Sequence, residues 1–128
     1  MRDNTFAVLD AASEAGIDCV DTARSYGDAE AFAGRWLSDR SAEPEFVPPT
    51  VSSKWGYSYV GGWRLDADVH ELKDHSLHRS RAQWAETRKH LGDVVGLYQV
   101  HSLTADSPLL DDDRLIARWR SCRDPVWR

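Results

Sequence analysis

IDCVDTARSYGDAEAFAGRWL, residues 17–37, passes from a short apolar run through a polar loop into a segment of helical period. Ile17 to Val20 is apolar without alternation, which reads as a strand covered on both faces, as parallel strands are. From about Asp28 to Asp39, the side chains Ala29, Phe32, Ala33, Trp36 and Leu37 fall on one helical stripe, and Gly34 within it suits close packing of helix on strand. The loop between them, Asp21 to Gly27, begins with a carboxylate at the strand end and carries a phenol, Tyr26, five residues later.

Outward from this unit the same grammar repeats. Upstream, a helix is expected from about Thr5 to Ala15, with Asp3, Asn4 or Thr5 as N-cap, Gly16 as stop, and Val8, Ala11, Ala12 and Ala15 as its buried face. Downstream, the proline-bearing segment Ser41–Pro49 is a loop leading into Thr50-Val51-Ser52-Ser53, a strand that ends at Lys54. Residues 55–76 then form a long excursion whose Tyr57, Tyr59, Gly61, Gly62 and Trp63 suggest an aromatic, glycine-hinged loop. A helix from about Ser80 to Leu91 has a weaker stripe (Leu77, Trp84, Leu91) and ends at Gly92. The run Val94–Val100 is a third strand, ending at His101. After a loop over Ser102–Pro108, Asp111-Asp112-Asp113 places negative charge at the start of a last helix carrying Leu115, Ile116 and Trp119. The order α-β-α-β-α-β-α implies a parallel sheet with right-handed crossovers.

Composition is that of an ordinary globular chain: 41% hydrophobic, 29% charged, net charge −5. That charge argues against a nucleic-acid partner. Neither an apolar stretch of about 18 residues nor a basic-plus-apolar leader is present, so no membrane association is expected and the setting is read as cytoplasmic. The two cysteines, Cys19 in the expected buried strand and Cys122 in the tail, give no disulfide framework. His70, His75 and His78, with Asp66, Asp68 and Asp74 nearby, lack the fixed spacing of a metal site and read as a solvated polar excursion, so no metal is assigned. Neither a phosphate-loop motif nor a Gly-x-Gly-x-x-Gly pattern occurs.

Asp21, Tyr26, Lys54 and His101 thus stand at or just beyond the ends of three successive strands, where α/β barrels keep their chemistry. Their residue types suit reduction of a carbonyl. Tyr26 is a natural proton donor, but a free phenol has a pKa near 10 and gives up its proton reluctantly. An ammonium about 4 Å away, at an effective dielectric of about 20, favours the phenolate by about 4 kcal/mol before desolvation opposes it. Lys54 can supply that charge, Asp21 can hold Lys54 in place, and His101 offers a neutral imidazole to orient the carbonyl oxygen.

The segments DTARSYGDAEAFAGRWL, SSKWGY and LYQVHS together resemble the aldo-keto reductases: Asp-Thr-Ala, Tyr-Gly and Glu-x-x-x-Gly in the first, the strand-end lysine in the second and the strand-end histidine in the third. The resemblance covers about Asn4 to Ala117. It implies the N-terminal part of a (β/α)₈ TIM barrel, three strands and four helices, with the barrel incomplete, since a closed one needs roughly 250 residues. It also implies NADPH-dependent reduction of an aldehyde or ketone to an alcohol. In that scheme Tyr26 is the acid, Lys54 and Asp21 its tuning pair, His101 the orienter of a small-molecule carbonyl substrate, and Asp21 lies near the nicotinamide ribose.

The first barrel strand of that family, and its last four strand–helix units, have no counterpart in this sequence. Residues 1–118 are therefore read as a partial barrel domain and 119–128 as an atypical tail, such as a frameshift leaves. Without the cofactor loops the isolated chain is expected to be impaired, to expose apolar inward side chains, and to be open to self-association through its barrel edges. The rival reading is a non-catalytic remnant or an interaction subunit derived from the barrel.

Overall fold

A computed structural model describes residues 2–62 and 64–121. Its elements are α1 (Arg2–Glu14), β1 (Cys19–Asp21), α2 (Ala29–Arg40), β2 (Thr50–Trp55), β3 (Tyr57–Tyr59), β4 (Glu71–Lys73), α3 (Leu77–Leu91), β5 (Val95–Val100), a 3-10 turn (Pro108–Leu110) and α4 (Asp113–Ser121). The expectations at Trp63 and Cys122, and for residues 122–128, fall outside the described residues, and so does the side chain of Trp119. Helix α4 continues through residue 118 to Ser121.

Strands β1, β2 and β5 form one parallel sheet in the order β1-β2-β5. In register, Val20 faces Val51 and Asp21 faces Ser52, while Lys54 faces Gln99 and Trp55 faces Val100. Because side chains alternate along a strand, Val51, Ser53 and Trp55 project to the helix side, where all three are buried. There Val51 joins Ala33, Trp36, Leu37 and Leu91 in one cluster, and Trp55 joins Leu109 and Leu115 in a second. Trp36 is anchored further: its indole N–H donates to Asp10 at 2.8 Å, and its ring meets Phe46 edge-on.

Several expectations need correction. Helix α1 begins by Arg2, so Asp3, Asn4 and Thr5 lie inside it and do not cap it. Its packed side is Phe6 and Leu9, with Asp10 bonded to Trp36, whereas Val8 is 65% exposed. The alanine stripe misled because a helix can dock through a polar group that finds a buried donor. Strand β1 is not covered on both sides: Ile17 and Cys19 are exposed, since among the described residues no strand flanks β1 on its outer edge and only one face meets helices. The inward side chains of the three strands are also mostly polar, not apolar; Leu97, 52% exposed, is the exception beside Cys19.

Gly34 does allow a close approach, but of helix to helix: a Cβ there would strike the His90 carbonyl at the end of α3. The weak stripe of α3 has a cause as well, because its buried face is largely polar, Ser80, Gln83 and Thr87 with Leu91. That helix starts three residues earlier than expected, with the Ser76 hydroxyl accepting from the Arg79 amide at 3.2 Å. Finally, the excursion after Lys54 is not all loop: β3 and β4 pair antiparallel, and Gln83 clamps the hairpin base by accepting from Gly56 N and donating to Tyr57 O, both at 2.8 Å.

Candidate active site

The sheet does not stop hydrogen-bonding where β1 ends. Thr22 N donates to Ser52 O and Arg24 N to Lys54 O, both at 2.9 Å, and on the other side His101 N donates to Trp55 O at 2.8 Å. The loop bearing Tyr26 therefore leaves the sheet as an extension of its ladder. It then turns through Tyr26 N to Ala23 O and Ala29 N to Tyr26 O, which delivers the chain into α2.

This arrangement brings all four expected residues to one end of the sheet. The Lys54 ammonium pairs with Asp21 and donates to Thr22 O at 3.1 Å. It also lies 5.4 Å from the Tyr26 ring centroid. The His101 ring stands edge-on to Tyr26, with centroids 5.6 Å apart. Tyr26 is 46% exposed, so the phenol borders solvent where a small molecule can approach.

The electrostatics follow from these contacts. Partial burial works to raise the Asp21 carboxyl, but hydrogen bonds from Lys54 and Ser52 and the lysine charge outweigh it and hold the group below the usual carboxylate range. Asp21 thus stays ionised and keeps the ammonium beside the phenol. His101 is pushed below its ordinary value by burial, aided by the Lys54 charge and opposed by Glu71 and Asp21. A neutral imidazole at this position can share one hydrogen with a carbonyl oxygen.

Residues outside the expected set complete the site. Ser25 Oγ lies 3.5 Å from His101 Nδ1, and Tyr57 packs against the His101 ring with centroids 5.0 Å apart. His75, read from sequence as part of a solvated excursion, is 2% exposed. Its Nε2 lies 2.9 Å from the His101 carbonyl oxygen and its Nδ1 2.7 Å from Ser107 Oγ. The carbonyl can only accept, so Nε2 carries the hydrogen and Nδ1 accepts from the serine. His75 thereby clamps the backbone of His101. Its one sequence signal is position, immediately before the Ser76 cap. Among the described residues, Thr22 Oγ1 and Trp55 Nε1 are buried without a hydrogen-bond partner.

The model of the aldo/keto reductase family matches residues 1–124. A Saccharomyces cerevisiae protein named "Probable aryl-alcohol dehydrogenase" is 31% identical over 102 residues, which are 78% of this chain and 30% of that protein. A Pseudomonas aeruginosa protein described as an aldo-keto reductase superposes with a TM-score of 0.75 at 23% identity, covering 99% of this chain and 46% of that one. The holo form of an aldo-keto reductase from Bacillus halodurans gives 0.73 at 23% identity, covering 98% and 39%. The glycerol dehydrogenase of Gluconobacter oxydans gives 0.72 at 24% identity, covering 93% and 35%. These likenesses establish the fold as part of a (β/α)₈ barrel, and the chain spans less than half the length of each of these four proteins.

Proposed function

Because the chain belongs to the aldo/keto reductase family, we propose that it carries the proton-transfer half of an NADPH-dependent carbonyl reductase acting on a small aldehyde or ketone. The observation behind this reading is the cluster Asp21, Lys54, Tyr26, His101: carboxylate on ammonium, ammonium 5.4 Å from the phenol ring, imidazole ring 5.6 Å from the same phenol ring. Tyr26 donates its proton to the carbonyl oxygen as that oxygen gains negative charge. Lys54 makes the donation easier by stabilising the phenolate left behind. Asp21 keeps Lys54 charged and in place, and neutral His101 holds the oxygen on the phenol side.

The residues present suit the nicotinamide-ribose end of the cofactor. Asp21 has an exposed carboxylate able to accept from a ribose hydroxyl, and the Thr22 hydroxyl beside it is buried without a partner. When bound, NADPH supplies the hydride to the carbonyl carbon. A cytoplasmic setting agrees with a sequence whose two cysteines form no disulfide framework.

The test is reduction of a panel of aldehydes and ketones, followed by NADPH consumption, in a barrel completed with further strand–helix units. Activity lost on Tyr26→Phe, with NADPH affinity kept, supports the reading; a variant retaining more than about a tenth of the rate removes Tyr26 from its role. The rival reading is a non-catalytic remnant or an interaction subunit derived from the barrel. Calorimetry with NADPH on the chain itself separates the two.

A further inference from the structure

The carboxylate of Glu30 has no part in the proton transfer described above. It stands in the first turn of α2, where an acidic side chain ordinarily faces water and the helix dipole. Here it is 1% exposed. Its two oxygens divide their partners. Oε1 accepts from Ser53 Oγ at 2.6 Å and Thr87 Oγ1 at 2.7 Å, which ties it to β2 and α3. Oε2 pairs with the guanidinium of Arg24. Arg24 also reaches the exposed Glu86, Nη2 to Oε2 at 2.8 Å, and its amide is the one bonded to Lys54 O.

Burying an ion pair is seldom the cheapest way to fill space, since apolar side chains of similar volume often stabilise as well or better. A buried pair is easier to understand when it fixes a geometry. The geometry in question is local: Arg24 is two residues before Tyr26, and Ser53 is one residue before Lys54.

We propose that Glu30 is a positioning residue for the proton donor, holding the Tyr26 loop through Arg24 and the Lys54 strand through Ser53, so that phenol and ammonium keep their mutual placement. The proposal rests on the assignment of Tyr26 as the donor, and the two can fail separately.

The experiment uses the chain with ¹³C at the tyrosine ζ carbons, the Tyr26 resonance being assigned by its loss in Tyr26→Phe. Glu30→Gln retains an acceptor for Ser53 and Thr87 but turns an amide toward Arg24. The expected result is an alkaline displacement of Tyr26 ionisation by about one unit, tenfold in the constant. Loss of the proton–proton contact between the Tyr26 and His101 rings should accompany it. Arg24→Gln cuts the same link from its partly exposed end and should give the same displacement. Arg24→Lys, which keeps the charge, should restore most of the parent behaviour, and Glu86→Gln should change neither readout.

A Glu30→Gln or Arg24→Gln protein that unfolds cooperatively, with Tyr26 ionisation and ring contact as in the parent, overturns the proposal. So does a Glu86→Gln displacement equal to that of Glu30→Gln, which would make the effect one of general surface charge. Neither readout involves substrate, so failure of the donor assignment shows itself separately, as carbonyl reduction surviving Tyr26→Phe.

Discussion

The two faces of the β1-β2-β5 sheet are made from the same three strands and do opposite work. On the helix side, Val51, Ser53 and Trp55 of β2 are at most 1% exposed. On the other side the same strands present Cys19, Asp21, Ser52, Lys54, Leu97 and Gln99, largely polar and partly open to water. Stability is therefore concentrated on one face, and the proposed chemistry lies on the other. Substitutions should sort accordingly: changes behind the sheet should cost folding, and changes in front should cost reactivity.

The largest expected effect behind the sheet is that of Trp36→Ala. It empties the core cluster and leaves Asp10 without its indole donor, and aromatic-to-alanine changes in cores typically cost about 3–5 kcal/mol. Chemical denaturation should show a loss of that order or no folded protein. An unchanged midpoint would mean the helix layer does not carry the fold.

In front of the sheet the comparable change is Tyr26→Phe in a completed barrel. Removing a general acid should slow carbonyl reduction by about 10²- to 10⁴-fold, while the denaturation midpoint moves little because the ring is half-exposed. Steady-state kinetics beside a urea titration reads both numbers, and an equal loss in both would erase the distinction between the faces. Lys54→Met comes next. With the ammonium gone, the high-pH limb of the pH–rate profile, where the proton donor ionises, should move further alkaline. An unmoved limb in an active variant would separate Lys54 from the phenol.

A smaller effect is expected from His75, which meets the site through the His101 carbonyl and an edge-on contact with the Tyr57 ring. Burial lowers its pKa, with Lys73 assisting and the His101 carbonyl and Asp74 opposing. The unfolded chain therefore binds this proton more readily than the native one, and the stability tied to neutral His75 is present above the ordinary histidine value of about 6.5 and lost as pH falls from there toward the native value. His75→Gln should flatten that part of the stability–pH curve. Smallest of all should be Leu97→Thr on the open face, a surface change within about 0.5 kcal/mol. A marked destabilisation would show that this face is covered in solution.

The open face was easier to read from the sequence than the covered one. Asp21 and His101 each follow a largely apolar run and Lys54 closes the short run Thr50–Ser53, and a charged or titratable residue closing such a run marks the point where a buried strand reaches water. Burial of Glu30 had no such sign, because an acidic residue in a first helical turn is what an exposed helix also shows. The wrong stripe on α1 arose from alanines, which are small enough to lie on either side, while the docked side includes a carboxylate. The β3–β4 hairpin was hidden because its strands are three residues each and separated by a long polar loop. Periodicity has too little to count over such lengths.

The ladder bonds from Thr22 and Arg24 carry a kinetic consequence. A segment that looks like a loop ordinarily opens at small free-energy cost, with amides that exchange their hydrogens quickly. Here, exposing the Thr22 and Arg24 amides to solvent requires unzipping the β1–β2 edge itself. Their hydrogens should exchange on the slow schedule of the strand, while amides two or three residues further along exchange much faster. The base of the Tyr26 arm is thus timed by the sheet, and only its tip keeps the tempo of a loop.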